Sequence, residues 1–359
     1  MSSVIETSLP MKARFNLEKL VRENVKGLKP YSSARDEYVS DGTEMVFLDA
    51  NENPFENGVN RYPDPQQRGL KALLANQKGV SKENILLGNG SDEVLDLIFR
   101  AFCEPNQDNI ITLPPTYGMY KVLAGINATE NREVLLTSDF EPDVTHILAQ
   151  VCDSTKLIFI CSPNNPTGNA FSQNKVQQIL QSFTGLVVVD EAYIDFSESE
   201  SWLTALREFP NLIVTQTLSK AYGMAGIRLG ICYASEEIIA VLNKIKPPYN
   251  VNQLTQERAY SRAVDTQAVE KEVNQILGER QALVNALEAL DFVEAIYPTD
   301  ANFVLIKVDD ADKRYTELLN EQIVVRNRSN QPLCKNTLRL TVGTSEENRK
   351  LIASLKTLQ

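Results

Sequence analysis

Short β-branched runs alternate with amphipathic stretches from about Phe47 to Ala234, the pattern of an open parallel sheet covered by helices. Residues 110–113, 157–161, 186–189, 212–215 and 229–233 are the candidate strands. Between them, Val94, Leu95, Ile98, Phe99 and Phe102 fall at helical spacing within residues 93–102, and Val176, Ile179, Leu180 and Phe183 do so within 173–183. Both stretches predict helices that face a core. Lys246-Pro247-Pro248-Tyr249-Asn250 then breaks the alternation with two prolines and marks a passage between domains.

Beyond that break, Val269, Val273, Ile276, Leu277, Leu283, Val284 and Leu287 trace one face of a long helix, with Arg280 at the edge of the stripe. Strand-like runs at 302–308, 323–326 and 337–342, separated by a helix-like 311–319 and closed by 346–355, predict a smaller unit. The expected fold is α/β. A large domain, residues 46–249, holds a mostly parallel central sheet flanked by helices, and a smaller α+β domain combines residues 1–45 with 250–359.

Composition leaves that picture intact and narrows the function. With 359 residues, 43% of them hydrophobic and 23% charged, the chain has the make-up of a globular protein of two domains. No apolar run approaches the roughly 20 residues that span a bilayer, and residues 1–19 lack a signal-like segment, so a cytoplasmic location is expected. The 47 acids against 36 bases leave a net charge of −11, which disfavours nucleic acid and anionic membranes as partners. Five dispersed cysteines, none in a CxxC pair, argue against a disulfide framework or a zinc site and read as small core residues. His146 is the sole histidine, so neither a histidine-based triad nor a multi-histidine metal site is expected.

Open α/β sheets bind ligands beyond the carboxyl ends of their strands. Three of the predicted strands are followed there by Ser162-Pro163-Asn164-Asn165-Pro166-Thr167-Gly168, by Asp190-Glu191-Ala192-Tyr193 and by Thr217-Leu218-Ser219-Lys220. Catalysis with pyridoxal 5′-phosphate needs a lysine to hold the aldehyde and shuttle a proton, and an anion to keep the pyridine nitrogen protonated. Lys220 and Asp190 meet those needs. Tyr193 and Asn165 can bond the ring oxygen, and Thr217, Ser219 and Arg228 can bond the phosphate. Gly88-Asn89-Gly90-Ser91-Asp92-Glu93 runs into a predicted helix, where the free N–H groups at Gly90, Ser91 and Asp92 suit a phosphate.

These three strand-end motifs, with Arg228 eight residues beyond Lys220, resemble the fold-type I aminotransferases, and the resemblance spans nearly the whole chain. Leu28-Lys29-Pro30-Tyr31, Asn51-Glu52-Asn53-Pro54, Arg61-Tyr62-Pro63, Pro114-Pro115-Thr116-Tyr117-Gly118-Met119-Tyr120 and Leu338-Arg339-Leu340-Thr341-Val342-Gly343-Thr344 resemble the histidinol-phosphate aminotransferase family. The link 55–60 is shorter than in many of its members. The resemblance implies that Lys220 holds the cofactor and moves the proton, that Asp190 pairs with the pyridine nitrogen, and that Tyr193 and Asn165 bond the ring oxygen. It further implies that Tyr117 stacks on the ring and that Gly90, Ser91, Asp92, Thr217, Ser219 and Arg228 hold the phosphate. Tyr62 would reach that phosphate from the neighbouring subunit of a homodimer. Tyr31, Asn53, Arg326 and Arg339 would face the substrates, histidinol phosphate and 2-oxoglutarate; Arg328 is expected on the opposite face of its strand. Tyr120 is expected to be a core aromatic.

The activity so implied is transamination of L-histidinol phosphate with 2-oxoglutarate in histidine biosynthesis. Related scaffolds act on aromatic amino acids or decarboxylate threonine phosphate, and those readings stay open on sequence. A cofactor-sensing transcription regulator would need a basic DNA-binding module, which the acidic balance and the 45 residues before Val46 do not supply.

Overall fold

The computed structural model describes residues 15–29 and 45–358. Seven strands make the large sheet: β1 Ile85–Asn89, β2 Asn109–Thr112, β3 Glu130–Glu133, β4 Thr155–Cys161, β5 Leu186–Asp190, β6 Leu212–Thr217 and β7 Leu229–Tyr233. Across the sheet they run in the order β1-β7-β6-β5-β4-β2-β3. β7 is antiparallel to β1 and β6, and the remaining neighbours pair in parallel.

Strands buried on both faces read as unbroken apolar runs, and this sheet shows why. Val187 and Val189 of β5 enter one core with Ile158 and Ile160, whereas Leu186 and Val188 enter the opposite core with Leu157 and Phe159. Successive strand residues alternate faces, so Asp190 continues the row of Leu186 and Val188. Its carboxylate is thereby delivered to the side on which Tyr120 and Phe159 pack.

A second sheet, ordered β10-β11-β9-β8, is antiparallel throughout and consists of β8 Val293–Ile296, β9 Phe303–Val308, β10 Arg326–Asn327 and β11 Thr337–Thr341. Leu283 and Leu287 of the helix Thr266–Leu287, and Leu351 and Leu355 of the helix Ser345–Thr357, cover it by packing on Val304, Ile306, Leu338 and Leu340. The first of these helices is tied in place by Arg280, whose Nη1 donates to the Ala301 carbonyl at 2.8 Å.

Two segments expected in the smaller domain pack instead on the large sheet. Val21 and Val25 join the core on the Phe159 face, and Arg22 Nε meets Glu104 Oε2 at 3.2 Å. Ala259 and Ala263 of the helix Gln253–Val264 join the opposite core, so that helix belongs with the large sheet although it follows the proline break. β10 also starts later than predicted. Gln322, with φ +60°, turns the chain and lets Ile323 N–H close on the Leu318 carbonyl at 2.9 Å, so pairing begins only at Arg326. Four cysteines are buried as expected; Cys152 is exposed. Among the described residues no helix is long and apolar enough to cross a membrane.

Candidate active site

Parallel strands end on a common edge, so the carboxyl ends of β2, β4, β5 and β6 lie together, and the turn after β1 and the start of β7 meet them there. At that edge the chain encloses a cavity of about 650 Å³. Its lining includes Ser91, Asp92, Tyr117, Asn165, Asp190, Tyr193, Thr217, Ser219, Lys220, Arg228, Arg326 and Arg339, thus bringing together most of the residues predicted for the site.

Asp190 ends β5 and is 3% exposed. Its Oδ2 accepts a hydrogen bond from the Tyr120 hydroxyl at 2.8 Å, while Oδ1 is buried and accepts none. Burial holds this carboxyl above its usual range, with the Tyr120 hydrogen bond the largest pull downward. A buried carboxylate oxygen left unpaired beside a cavity requires a donor from a ligand to be satisfied. A protonated ring nitrogen provides one. Tyr120 is a core aromatic, as expected, and its hydroxyl also orients the acid, a role for which the sequence carries no separate cue.

Lys220 follows β6, with Nζ 5.7 Å from the centre of the Tyr193 ring. Burial first, and the charge of Arg339 second, hold its amine below the ordinary lysine value, which favours the neutral, nucleophilic form. Tyr193 is buried edge-on to Phe303, ring centres 5.2 Å apart, and burial pushes its phenol up. It therefore stays protonated, as a donor must. Asn165 gives its amide oxygen to Arg339 Nη1 at 2.5 Å, leaving its NH₂ as the group able to donate. Tyr117 is fixed by a 3.0 Å bond from its hydroxyl to Asp92 Oδ1.

The helix start predicted after Gly90 is present, and its first N–H groups are those a phosphate cradle would use. Gly90, at φ +81°, precedes the helix Ser91–Phe102, and a Cβ there would lie 2.6 Å from Arg228 Nη2. Arg228 closes the cradle 3.6 Å from Asp92 Oδ2. Thr217 Oγ1 accepts the Ser219 N–H at 3.1 Å and donates to the Leu229 carbonyl at 3.1 Å, which shapes the turn that leads to Lys220. The orphan N–H groups of a helix start, together with hydroxyls and a guanidinium, suit a phosphate. With the unpaired Asp190 oxygen at the other end and an amine between, the residues fit pyridoxal 5′-phosphate.

Gly230 in β7 was not anticipated. A Cβ on it would fall 2.3 Å from the Ser91 nitrogen and 2.4 Å from the Gly90 carbonyl carbon, so only glycine lets β7 lie against the cradle. Gly230→Ala is expected to destabilise the fold by about 1–3 kcal/mol and to weaken cofactor retention. Thermal melts of the cofactor-free protein and titration with pyridoxal 5′-phosphate check the two effects separately; an unchanged titration would mean that the cradle tolerates the shift.

Arg326 and Arg339 face each other across the β10–β11 pair. Arg328 also lines the cavity, contrary to expectation. Residues two apart on a strand share a face, so the rule of alternation places Arg328 with Arg326 rather than against it. Tyr62 and Asn53 do not line this cavity. Tyr62 is half-exposed and stacks on Tyr249 at 4.5 Å, whereas Asn53 closes the short link, its Oδ1 accepting the Phe55 N–H and its carbonyl the Asn60 amide, both at 3.0 Å. Tyr31 lies outside the described residues.

The chain is similar to known proteins over nearly its whole length. The family described as aminotransferase class I and II matches residues 44–355. A histidinol-phosphate aminotransferase of Flavobacterium johnsoniae is 65% identical over 345 residues, which cover 96% of this chain and 99% of the relative. One from Christiangramia forsetii is 64% identical with the same coverage. The crystal structure of the histidinol-phosphate aminotransferase from Clostridium acetobutylicum superposes with a TM-score of 0.78 at 26% identity, covering 84% of this chain and 91% of that one. The chain thus belongs to the class I and II aminotransferases.

Proposed function

We propose that the chain transfers the amino group of L-histidinol phosphate to 2-oxoglutarate, giving imidazole-acetol phosphate and L-glutamate in L-histidine biosynthesis. It does so with pyridoxal 5′-phosphate, as a cytoplasmic homodimer. The observation that carries this reading is a single cavity holding a depressed lysine, an unpaired buried aspartate oxygen, a phosphate cradle and a cluster of arginines. The identity of 64–65% to relatives named for this reaction supports the donor.

Pyridoxal 5′-phosphate, when bound, supplies a carbonyl that takes up the amino group and a ring that accepts the electron pair released beside it. The chain's own residues do the rest. Asp190 Oδ1 holds a proton on the ring nitrogen, while Tyr193 and Asn165 donate to the ring oxygen. Tyr117 covers a ring face, and Gly90, Ser91, Asp92, Thr217, Ser219 and Arg228 hold the phosphate. Lys220, with its lowered amine, would hold the cofactor and would take up and return the proton of the donor carbon. Arg326 and Arg339 bind the substrates. The exposed Tyr62, which is outside the lining of its own cavity, supports a dimer in which it reaches the partner's cofactor phosphate.

The test is a half-reaction without oxo acid, in which the cofactor-loaded protein receives histidinol phosphate, phenylalanine or threonine phosphate separately. Conversion of the lysine-bound cofactor absorbance to that of its amine form is expected with histidinol phosphate. Conversion by phenylalanine alone would reassign the donor, and carbon dioxide release from threonine phosphate without conversion would replace transamination by decarboxylation.

A further inference from the structure

Five cationic side chains line the cavity, namely Lys220, Arg228, Arg326, Arg328 and Arg339, against the two carboxylates Asp92 and Asp190. Arg228 is matched to the cradle through Asp92. The three arginines carried by β10, β11 and the residue after β10 have no carboxylate partner among the ion pairs of the described residues, which leaves a dense patch of positive charge where substrate must enter.

How a purely structural arginine looks in this protein is shown by Arg314, buried in the same smaller domain. Its Nε and Nη2 grip both oxygens of Asp309 at 2.9 and 2.8 Å, and its Nη1 reaches Glu317 at 3.0 Å and the Leu358 carbonyl at 2.7 Å. Arg328 differs on each count. Its Nε is buried without a hydrogen-bond partner, its backbone N–H is spent on the Thr337 carbonyl, and its side chain faces the cavity. Burial, then the charges of Arg339 and Arg326, pull its guanidinium down to about 10. A half-buried guanidinium without an anion, beside two others, is costly unless a ligand completes it.

We propose that Arg328 is a substrate-binding residue, which with Arg326 clamps the distal phosphate of the amino donor and, in the second half-reaction, the distal carboxylate of the oxo acid. The division of labour follows from position. Arg339 is held to Asn165 and lies over the Phe303 ring at 5.1 Å, close enough to Lys220 to depress its amine, so it serves the carboxylate of the oxo acid next to the reacting carbon, a group the amino donor lacks. Arg326 and Arg328, two residues apart on one face, form a pair of donors for an anion farther out. A phosphate dianion matches two guanidiniums in charge, and the same two side chains meet a carboxylate of like sign in the second half-reaction. The inference rests on the proposed transamination and names the donor's phosphate as the feature read by Arg328.

Arg328→Gln and Arg328→Lys test it. Losing one charge-assisted contact is expected to raise the KM for histidinol phosphate and for 2-oxoglutarate by about 10- to 100-fold, with kcat changed only a few-fold and with partial recovery in the lysine variant. With histidinol, which lacks the phosphate, the loss should be several-fold smaller. In parallel, thermal protection of the loaded protein by inorganic phosphate should weaken in the glutamine variant. Equal losses for the phosphorylated and unphosphorylated donors, or unchanged KM and phosphate protection, would overturn the role of Arg328. If the wild type failed to use histidinol phosphate while phosphate protection still depended on Arg328, the transamination reading would fall and the anion site would stand.

Discussion

Lys220→Ala is expected to abolish transamination, lowering turnover by at least about 10⁴-fold, while the fold survives. Lys220 is the amine within the cavity, and none of the other lining groups can both link to an aldehyde and move a proton to a carbon. The bound cofactor should therefore lose the absorbance of its lysine-linked form and still bind, because the cradle of Gly90, Ser91 and Arg228 is untouched. Stability should respond in the direction set by the depressed amine. The folded state releases the Lys220 proton at lower pH than the unfolded chain does, so between the folded pKa and the ordinary lysine value the unfolded state binds more protons. Wild-type stability accordingly rises with pH through that window, and in the variant this part of the rise disappears. Chemical denaturation of the cofactor-free proteins across alkaline pH, with absorbance spectra of the loaded ones, measures both effects. A variant that kept the lysine-linked spectrum would remove Lys220 from the centre of the chemistry.

Much of the large sheet was legible because its strands are buried on both faces and so appear as continuous Val, Ile and Leu runs bounded by polar motifs. The convergence of the candidate residues was legible for a related reason, since parallel strands put Asn165, Asp190 and Lys220 on one edge whatever lies between them in sequence. β3 was invisible. Its four residues, Glu-Asn-Arg-Glu, carry no apolar side chain, because an edge strand with β2 on one side needs only backbone pairing. β10 was displaced because the left-handed turn at Gln322 is a backbone event that hydrophobic periodicity does not register. Gly230 was silent for want of a side chain; its meaning lies in the atoms of Gly90 and Ser91, which approach only after β1 and β7 have paired. Arg328 was legible and misread, as its spacing of two from Arg326 already implies a shared face.

Asp190→Asn is expected to separate stability from function, making the cofactor-free protein more stable and the loaded enzyme nearly inactive. The asparagine oxygen can still accept the Tyr120 hydroxyl, so the buried contact at 2.8 Å survives. What disappears is a buried charge with one oxygen unpaired. Because burial raises this carboxyl above its unfolded value, the folded state holds the proton to higher pH, and ionisation between the two values weakens the fold. Above the usual carboxylate range the cofactor-free variant should thus melt a few degrees higher than wild type, and the two should converge as acid protonates Asp190 in both states. Cofactor reverses the order. Pairing a ring cation with Asp190 relieves the unpaired charge, so pyridoxal 5′-phosphate should raise the wild-type melting temperature more than that of the variant. Loss of one partner of a buried charge pair, at about 3–5 kcal/mol, corresponds to a fall in turnover of roughly 10²- to 10⁴-fold. Melting curves with and without cofactor at neutral and acid pH decide the matter: a cofactor-free variant less stable than wild type at neutral pH would mean that Asp190 is a structural acid whose unpaired oxygen costs nothing.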